Sequence, residues 1–291
     1  MFTGILAATD FSADGELALE RALHLAPATA SGTVTALHVV EAGPLSVLRS
    51  LLGEPGEAER LARDGATQRL HASLSALSAL AAQSGAKVRP EVRVGRLLPE
   101  VLDAAAGDDL LVVGARGHHA LRRSLGGSTP ARLARAGRQA VLVVRRPVAG
   151  PYSKVLAALD LSDAAARILA AARWVAGQGI QAVHALDFTL GVAMAHAGVK
   201  RDAIEWHRQR ALAEARLALV QKVAAAGFGD EVESVVHEGY PTSVLMAQIE
   251  ASDADLLVLG KQGGSALDAL FLGSVSNHLL AEAPCDVLIV P

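Results

Sequence analysis

One glycine-rich motif occurs twice in this chain, at equivalent places in its two halves. The first copy occupies residues 114–117 and 127–128, and the second occupies residues 260–263 and 273–274, with nine residues between the two parts in each case. A short apolar run ends at the first glycine of each copy, and a helix-like segment follows the last. Two equivalent copies predict that one domain is duplicated.

The order of buried strand, glycine loop and helix start suits the binding of an anion. Glycine lets the backbone approach a ligand closely, and the N–H groups and positive dipole end of the following helix face the loop. Ser128 and Ser274 fall where that helix would begin, so each adds a hydroxyl donor. We therefore predict that both loops hold phosphate. The alternative is that they are ordinary strand-to-helix loops of an α/β protein.

The start of each half repeats as well. Residues 155–162 repeat residues 5–12, and both segments place an aspartate after an apolar run, at Asp10 and Asp160. His38 and His184 also correspond, and because each sits on an apolar strand we expect packed, hydrogen-bonded histidines rather than catalysts. The repeat therefore covers more than the glycine loops.

Residues 145–151 form the clearest linker, because two prolines and one glycine stop both helix and strand there. The predicted domains are residues 1–147 and 151–291. We predict that the last strands of the two halves, Ala140 to Val144 and Val287 to Val290, are sheet edges. Through them the halves would pair as an intrachain pseudo-dimer, and a homodimer is a further expectation.

Apolar strands alternate with helices along each half. This alternation predicts an α/β fold in which a parallel sheet is covered by helices on both faces. Ligands would then bind beyond the carboxyl ends of the strands, where Asp10, the glycine loop and the end of the second strand converge. Within the first half we expect one long helix over residues 57–83, closed by Gly85.

Composition excludes several classes of protein. Hydrophobic residues make up 51% of the chain and charged residues 20%, which is typical of a globular protein. The net charge of −3 argues against nucleic acid as a main partner. No apolar run approaches the ~18 residues of a membrane-spanning helix, and the first residues lack the pattern of a signal peptide. We therefore expect no association with a membrane. The single cysteine, Cys285, fits a reducing cytosol, so we expect a cytoplasmic protein.

Catalytic motifs are missing from the sequence. It contains no G-x-S-x-G, H-E-x-x-H, G-x-x-x-x-G-K-[S/T] or C-x-x-C pattern. The adjacent His118 and His119 have no carboxylate or cysteine at ligand spacing, so a solvated loop is expected rather than a metal site. We therefore assign no catalytic residue and no resident metal ligand, and we expect at most a slow ATPase.

These features resemble the universal stress protein family in its tandem two-domain form, over essentially the whole chain. The segments that carry the resemblance are residues 9–12, His38 with Val39, and the spaced glycine loop, each with a second-half counterpart. The resemblance implies two Rossmann-like domains of the adenine nucleotide α-hydrolase type, each a five-stranded parallel sheet with helices on both faces. It also implies that the bound molecule is an adenine nucleotide.

The resemblance further implies roles for individual residues. Asp10 and Asp160 would contact ribose, and Val39 and Ala185 would border adenine. The residues expected to hold phosphate are Gly114, Gly117, Gly127, Ser128, Gly260, Gly263, Gly273, Ser274 and Ser276.

The two halves differ at the start of the helix after the loop. The second half continues Ser274-Val275-Ser276, as ATP-binding members of the family do, whereas Pro130 occupies the position equivalent to Ser276 in the first half. Proline brings neither an N–H nor a hydroxyl, so we expect one phosphate donor to be missing there.

The expected function is a stress-response regulator that binds ATP with Mg²⁺, or AMP or ADP instead, and uses occupancy as a switch. The loops at 41–56 and 188–199 are candidates to respond. Asp10 and Asp160 could reach Mg²⁺ through the nucleotide phosphates. Two alternatives stay open: a partner-binding scaffold with vestigial sites, and an adenylylating enzyme of the same fold group.

Overall fold

A computed structural model describes most of the chain, in two compact units, Met1–Pro151 and Tyr152–Pro291. The described residues are 2–41, 56–105, 110–117, 128–176, 179–189, 194, 196–261 and 272–291. The two halves of the sequence thus correspond to two separately packed units.

The first unit alternates strands with helices. Its elements are β1 (Ile5–Ala8), α1 (Ala13–Leu25), β2 (Thr33–Glu41), α2 (Glu57–Ala76), α3 (Ser78–Ser84), β3 (Lys87–Gly95), α4 (Leu97–Ala104), β4 (Leu110–Gly114), α5 (Thr129–Ala136) and β5 (Ala140–Val144).

The second unit follows the same order. Its elements are β6 (Val155–Ala158), α6 (Ala165–Ala176), β7 (Ile180–Leu186), α7 (Arg201–Ala225), β8 (Glu233–Glu238), α8 (Pro241–Ser252), β9 (Leu256–Gly260), α9 (Ser274–Glu282) and β10 (Asp286–Val290).

Every described strand pair within a unit is parallel. The order is β3-β2-β1-β4-β5 in the first unit and β8-β7-β6-β9-β10 in the second. The chain winds outwards from β1 to β3 and then returns to add β4 on the other side of β1. This reversal creates a crevice at the carboxyl ends of β1 and β4, and the same crevice forms at β6 and β9.

Burial explains why the sheets are parallel and centrally placed. Leu110 to Val113 in β4 and Leu256 to Leu259 in β9 are all buried, as continuous apolar strands between two helical layers should be. The predicted α/β class, with a mainly parallel sheet in each half, is confirmed. The expected single helix over 57–83 is wrong, because the structure interrupts it at Leu77 even though no glycine or proline stands there. Gly85 does close the second piece, at φ 69°.

Candidate functional site

The turn after β1 fixes Asp10 at the carboxyl edge of the first sheet. Phe11 adopts a left-handed conformation with φ 62°. The Phe11 amide donates to Thr9 Oγ1 at 3.0 Å, and the Ser12 amide donates to Asp10 Oδ1 at 3.1 Å. Ser12 then caps α1, because its Oγ accepts a hydrogen bond from the Gly15 amide at 3.2 Å.

The second unit builds the same turn. Leu161 has φ 63°, and the Ser162 amide donates to Asp160 Oδ1 at 3.1 Å. Asp10 and Asp160 therefore occupy equivalent places, each beyond the carboxyl end of the first strand of its sheet.

The glycine loop of the first unit packs against this turn. A Cβ added to Gly114 would lie 2.5 Å from the carbonyl carbon of Asp14, and one added to Gly117 would overlap Asp10 Oδ2. Glycine is therefore required at position 114, where a Cβ would meet the main chain at the start of α1, whereas a Cβ at position 117 would have to displace the Asp10 carboxylate. The structure thus brings together three of the predicted site residues, Asp10, Gly114 and Gly117.

The start of α5 is capped by its own chain. Ser128 is the N-cap, and its Oγ accepts a hydrogen bond from the Ala131 amide at 3.4 Å. Pro130 follows in the first turn and has no N–H. Of the first three helical residues, at most one, Thr129, can therefore offer an amide to a ligand.

Helix α9 of the second unit begins one residue earlier, relative to the repeated motif, than helix α5 of the first unit. Gly273 is the N-cap there, so Ser274, the counterpart of Ser128, is the first helical residue. No described side chain caps this helix. The amides of Ser274, Val275 and Ser276 precede the first intrahelical bond, which runs from the Asn277 amide to Gly273 O at 2.8 Å. These three amides therefore have no hydrogen-bond partner within the helix.

Two hydrogen bonds hold the start of α9 beside β9. The Gly273 amide donates to Lys261 O at 2.9 Å. Ser276 is buried, and its hydroxyl donates to Gly260 O at 2.8 Å. The hydroxyl proton of Ser276, which we expected at a phosphate, is thus used to fix the helix against the end of the strand. Burial lowers the pKa of the neighbouring Lys261 ammonium.

The residues expected to border adenine, Val39 and Ala185, lie on the second strand of each sheet. Val39 pairs with Arg93 of β3, and Ala185 pairs with His237 of β8. They stand next to His38 and His184, whose Nδ1 atoms lie 2.9 Å from Thr9 O and 2.7 Å from Leu159 O. The expectation of hydrogen-bonded histidines is confirmed.

The structure adds a stack that sequence reasoning missed. The Phe11 ring lies 4.2 Å from the His38 ring, and the Arg69 guanidinium lies 4.3 Å from the Phe11 centroid. Burial lowers the pKa of His38, and the charge of Arg69 acts in the same direction, while the hydrogen bond to Thr9 opposes them. Arg69 lies on α2, so nothing in the motif around Phe11 could have indicated it.

Some expected residues fall outside the described part of the chain. Gly127 and Gly263 are among them, as are His118 and His119 and most of the 41–56 loop. Within the described ranges, no group of three or more His, Cys, Asp or Glu side chains could hold a metal ion. None of the described helices is long and apolar enough to cross a membrane.

Comparison with known proteins matches both halves of the chain to one family. The sequence model of the universal stress protein family matches residues 1–145 and again residues 151–291. A Thermus aquaticus protein, described as the universal stress protein in the QAH/OAS sulfhydrylase 3'region, is 32% identical over 145 residues, which cover 48% of this chain and 98% of that protein. Universal stress protein E of Photorhabdus laumondii is 36% identical over 61 residues, 21% of this chain and only 19% of its own length.

Solved structures share the fold. A universal stress protein from Archaeoglobus fulgidus superimposes with a TM-score of 0.69 at 18% identity, over 99% of this chain and 95% of that one. A Pseudomonas aeruginosa protein, solved as a putative universal stress protein, gives 0.59 at 18% identity, over 99% and 93% of the two chains. At this identity the structures show the fold alone. Together with the two family matches, they establish that this chain belongs to the universal stress protein family and carries the family's domain twice in tandem.

Proposed function

We propose that this chain binds an adenine nucleotide, ATP in the first instance, and acts as a nucleotide-dependent stress-response regulator. The observation that carries the proposal is the start of α9. Three successive amides, those of residues 274–276, stand there without a cap from any described side chain, near Gly260 and at the switch point of the sheet. Such amides and the helix dipole favour a phosphate.

In the proposal, the other predicted residues of the second unit surround that phosphate site. Asp160 would meet ribose, and Ala185 would border adenine, since both lie at the carboxyl edge of the second sheet. Gly260 and Gly273 would let the backbone approach the phosphates, and Ser274 would add a hydroxyl donor. Ser276 would act as a positioning residue through its bond to Gly260 O.

In the proposal, Mg²⁺ binds together with the nucleotide. The nucleotide phosphates supply most of its ligands, since Mg²⁺ is commonly held by one carboxylate and phosphate oxygens. Asp160 is the carboxylate of the second unit that fits, and Asp10 is its counterpart. The ion would neutralise phosphate charge. We assign no general base among the described residues, so occupancy rather than turnover would carry the signal, with ADP or AMP as competing ligands. Pairing of the two units through β5 and β10 stays a prediction, as does a cytoplasmic location.

Isothermal titration of Mg·ATP into wild type, Val275→Pro and Val275→Ala tests the proposal. Proline is tolerated in the first turn of a helix but removes the N–H, whereas alanine keeps it. A hydrogen bond to a charged group contributes about 1.5–3 kcal/mol, so we expect Val275→Pro to weaken binding by about 10- to 150-fold. Val275→Ala should bind like wild type. Absence of ATP binding, or equal binding by Val275→Pro, would contradict the proposal.

One observation favours the scaffold alternative. Helix α7 buries Leu219 and Val223 on one face, yet Trp206, Leu217 and Val220 are 57%, 60% and 54% exposed on another. With Ala213 and Ala224, these exposed positions are separated by seven, four, three and four residues, so they lie on one face of the helix, as on helices that pair with helices.

The partner in this alternative is the same helix of a second copy. In an antiparallel pair centred between Ala213 and Leu217, the large Leu217 side chain faces Ala213, and Trp206 faces Ala224. Sedimentation of Leu217→Asp and of the control Ala225→Asp, which adds the same charge off the stripe, tests this candidate. It predicts a dimer that only Leu217→Asp dissociates. A monomeric wild type would contradict it.

A further inference from the structure

We propose that the glycine loop of the first unit is closed by the chain's own side chains, with Asp14 as an internal ligand, so that only the second unit takes a nucleoside triphosphate. This inference rests on the proposed function and assigns it to one of the two units.

Asp14 occupies part of the loop where phosphate would bind. Its carboxylate Oδ2 accepts a hydrogen bond from the Arg116 amide at 2.9 Å. A carboxylate oxygen offers that amide the same chemistry as a phosphate oxygen, and its negative charge repels an incoming anion. Because the carboxylate is tethered to the fold, it competes at a high effective concentration.

The fold holds Asp14 in this position. It lies in the first turn of α1, whose start is capped by Ser12 and approached closely by Gly114. The Ser12 hydroxyl lies 3.3 Å from Arg116 O, so both polar groups of the Arg116 main chain face the start of α1. Displacing Asp14 would therefore disturb a joint between α1 and β4.

The helix after the loop is closed by the same kind of internal bond. Ser128 accepts from the Ala131 amide, and Pro130 has no N–H to offer. Among the described residues of this site, the Arg116 and Ala131 amides are therefore already hydrogen-bonded to side chains of the same unit.

The second unit differs at the position equivalent to Asp14 and at the N-cap of the helix after the loop. Ala164 stands at the position equivalent to Asp14, so the side chain has no oxygen. The preceding acidic residue, Asp163, is fully exposed and accepts a hydrogen bond from Lys222 Nζ of α7 at 2.9 Å. Gly273 caps α9 without a side chain. The two units therefore share one fold but differ in the residues at these two positions.

Exchange of the two residues tests the inference, with Mg·ATP as the probe and stoichiometry from isothermal titration as the readout. Wild type should bind one ATP per chain. Ala164→Asp should weaken that site by roughly tenfold or more, whereas Ala164→Asn, which adds a similar volume without charge, should weaken it less. Asp14→Ala combined with Pro130→Ser should create a second, weaker site. Thermal denaturation checks that each variant is folded.

The results separate this inference from the proposed function. Two sites of similar affinity in wild type would overturn the closure and leave the function standing. A single site that persists unchanged in Val275→Pro would contradict both the closure and the assignment of the phosphates to the start of α9. Wild type that binds no ATP would overturn both. A stoichiometry that stays at one in the Asp14→Ala, Pro130→Ser variant would exclude these two residues as the cause.

Discussion

Replacement of Gly114 by alanine should destabilise the first unit, because the new methyl group meets main chain rather than a movable side chain. The added Cβ would lie 2.5 Å from the carbonyl carbon of Asp14 and 2.6 Å from its oxygen. Ordinary contact begins at 3.4 Å, so α1 would have to move by nearly an ångström from the end of β4. Overpacking of this kind costs about 1–3 kcal/mol.

A matched control is available in the same unit. Gly65 lies on the exposed side of α2, and a Cβ added there meets nothing within 4 Å. Alanine is a better helix former than glycine, so Gly65→Ala should stabilise the chain by about 0.5–1 kcal/mol. The same substitution is thus predicted to have opposite signs at the two positions.

Urea denaturation followed by circular dichroism measures both effects as changes in the free energy of unfolding. We expect a loss of about 1–3 kcal/mol for Gly114→Ala and a gain for Gly65→Ala. If Gly114→Ala proves as stable as wild type, then β4 and α1 are not in the close contact on which the geometry of Asp14 depends.

Three further changes have defined outcomes. Burial lowers the pKa of His38 from its usual 6.5, so the unfolded chain binds a proton more readily than the folded chain. The free energy of unfolding should therefore fall as the pH drops below about 6.5. His38→Gln should reduce the difference in stability measured between about pH 7.5 and about pH 5.5. Ser276→Ala removes the 2.8 Å bond to Gly260 O and should cost about 1–3 kcal/mol in thermal denaturation. Tyr152 donates to the buried Asp286 carboxylate at 2.7 Å, so Tyr152→Phe should cost about 1–3 kcal/mol in urea, and an unchanged midpoint would refute this.

Local patterns in the sequence were sufficient to predict the fold and the proximity of Asp10 to the glycine loop. The apolar runs that became β1, β4, β6 and β9 are continuous because these strands are buried on both faces, which is why they indicated a parallel sheet. The convergence of Asp10 with Gly117 followed from the rule that the carboxyl ends of parallel strands meet at one edge.

Contacts between distant segments could not be predicted. Asp14 is separated by 102 positions from Arg116, the residue whose amide it engages, and no spacing in the sequence indicates this bond. Ser276 could be recognised as a hydroxyl near a predicted helix start, but only the fold shows that its proton goes to Gly260 O. The difference in register between α5 and α9 depends on whether Ser128 or Gly273 caps the helix, and the two motifs read alike at this point.

The central claim is that main-chain amides at the start of α9 bind the phosphates of a nucleotide. A crystal structure with Mg²⁺ and a non-hydrolysable ATP analogue tests it most directly. We expect phosphate oxygens about 2.7–3.2 Å from amide nitrogens of residues 274–276, with the first unit empty. Nucleotide bound elsewhere, or phosphates seated at α5 instead, would contradict it.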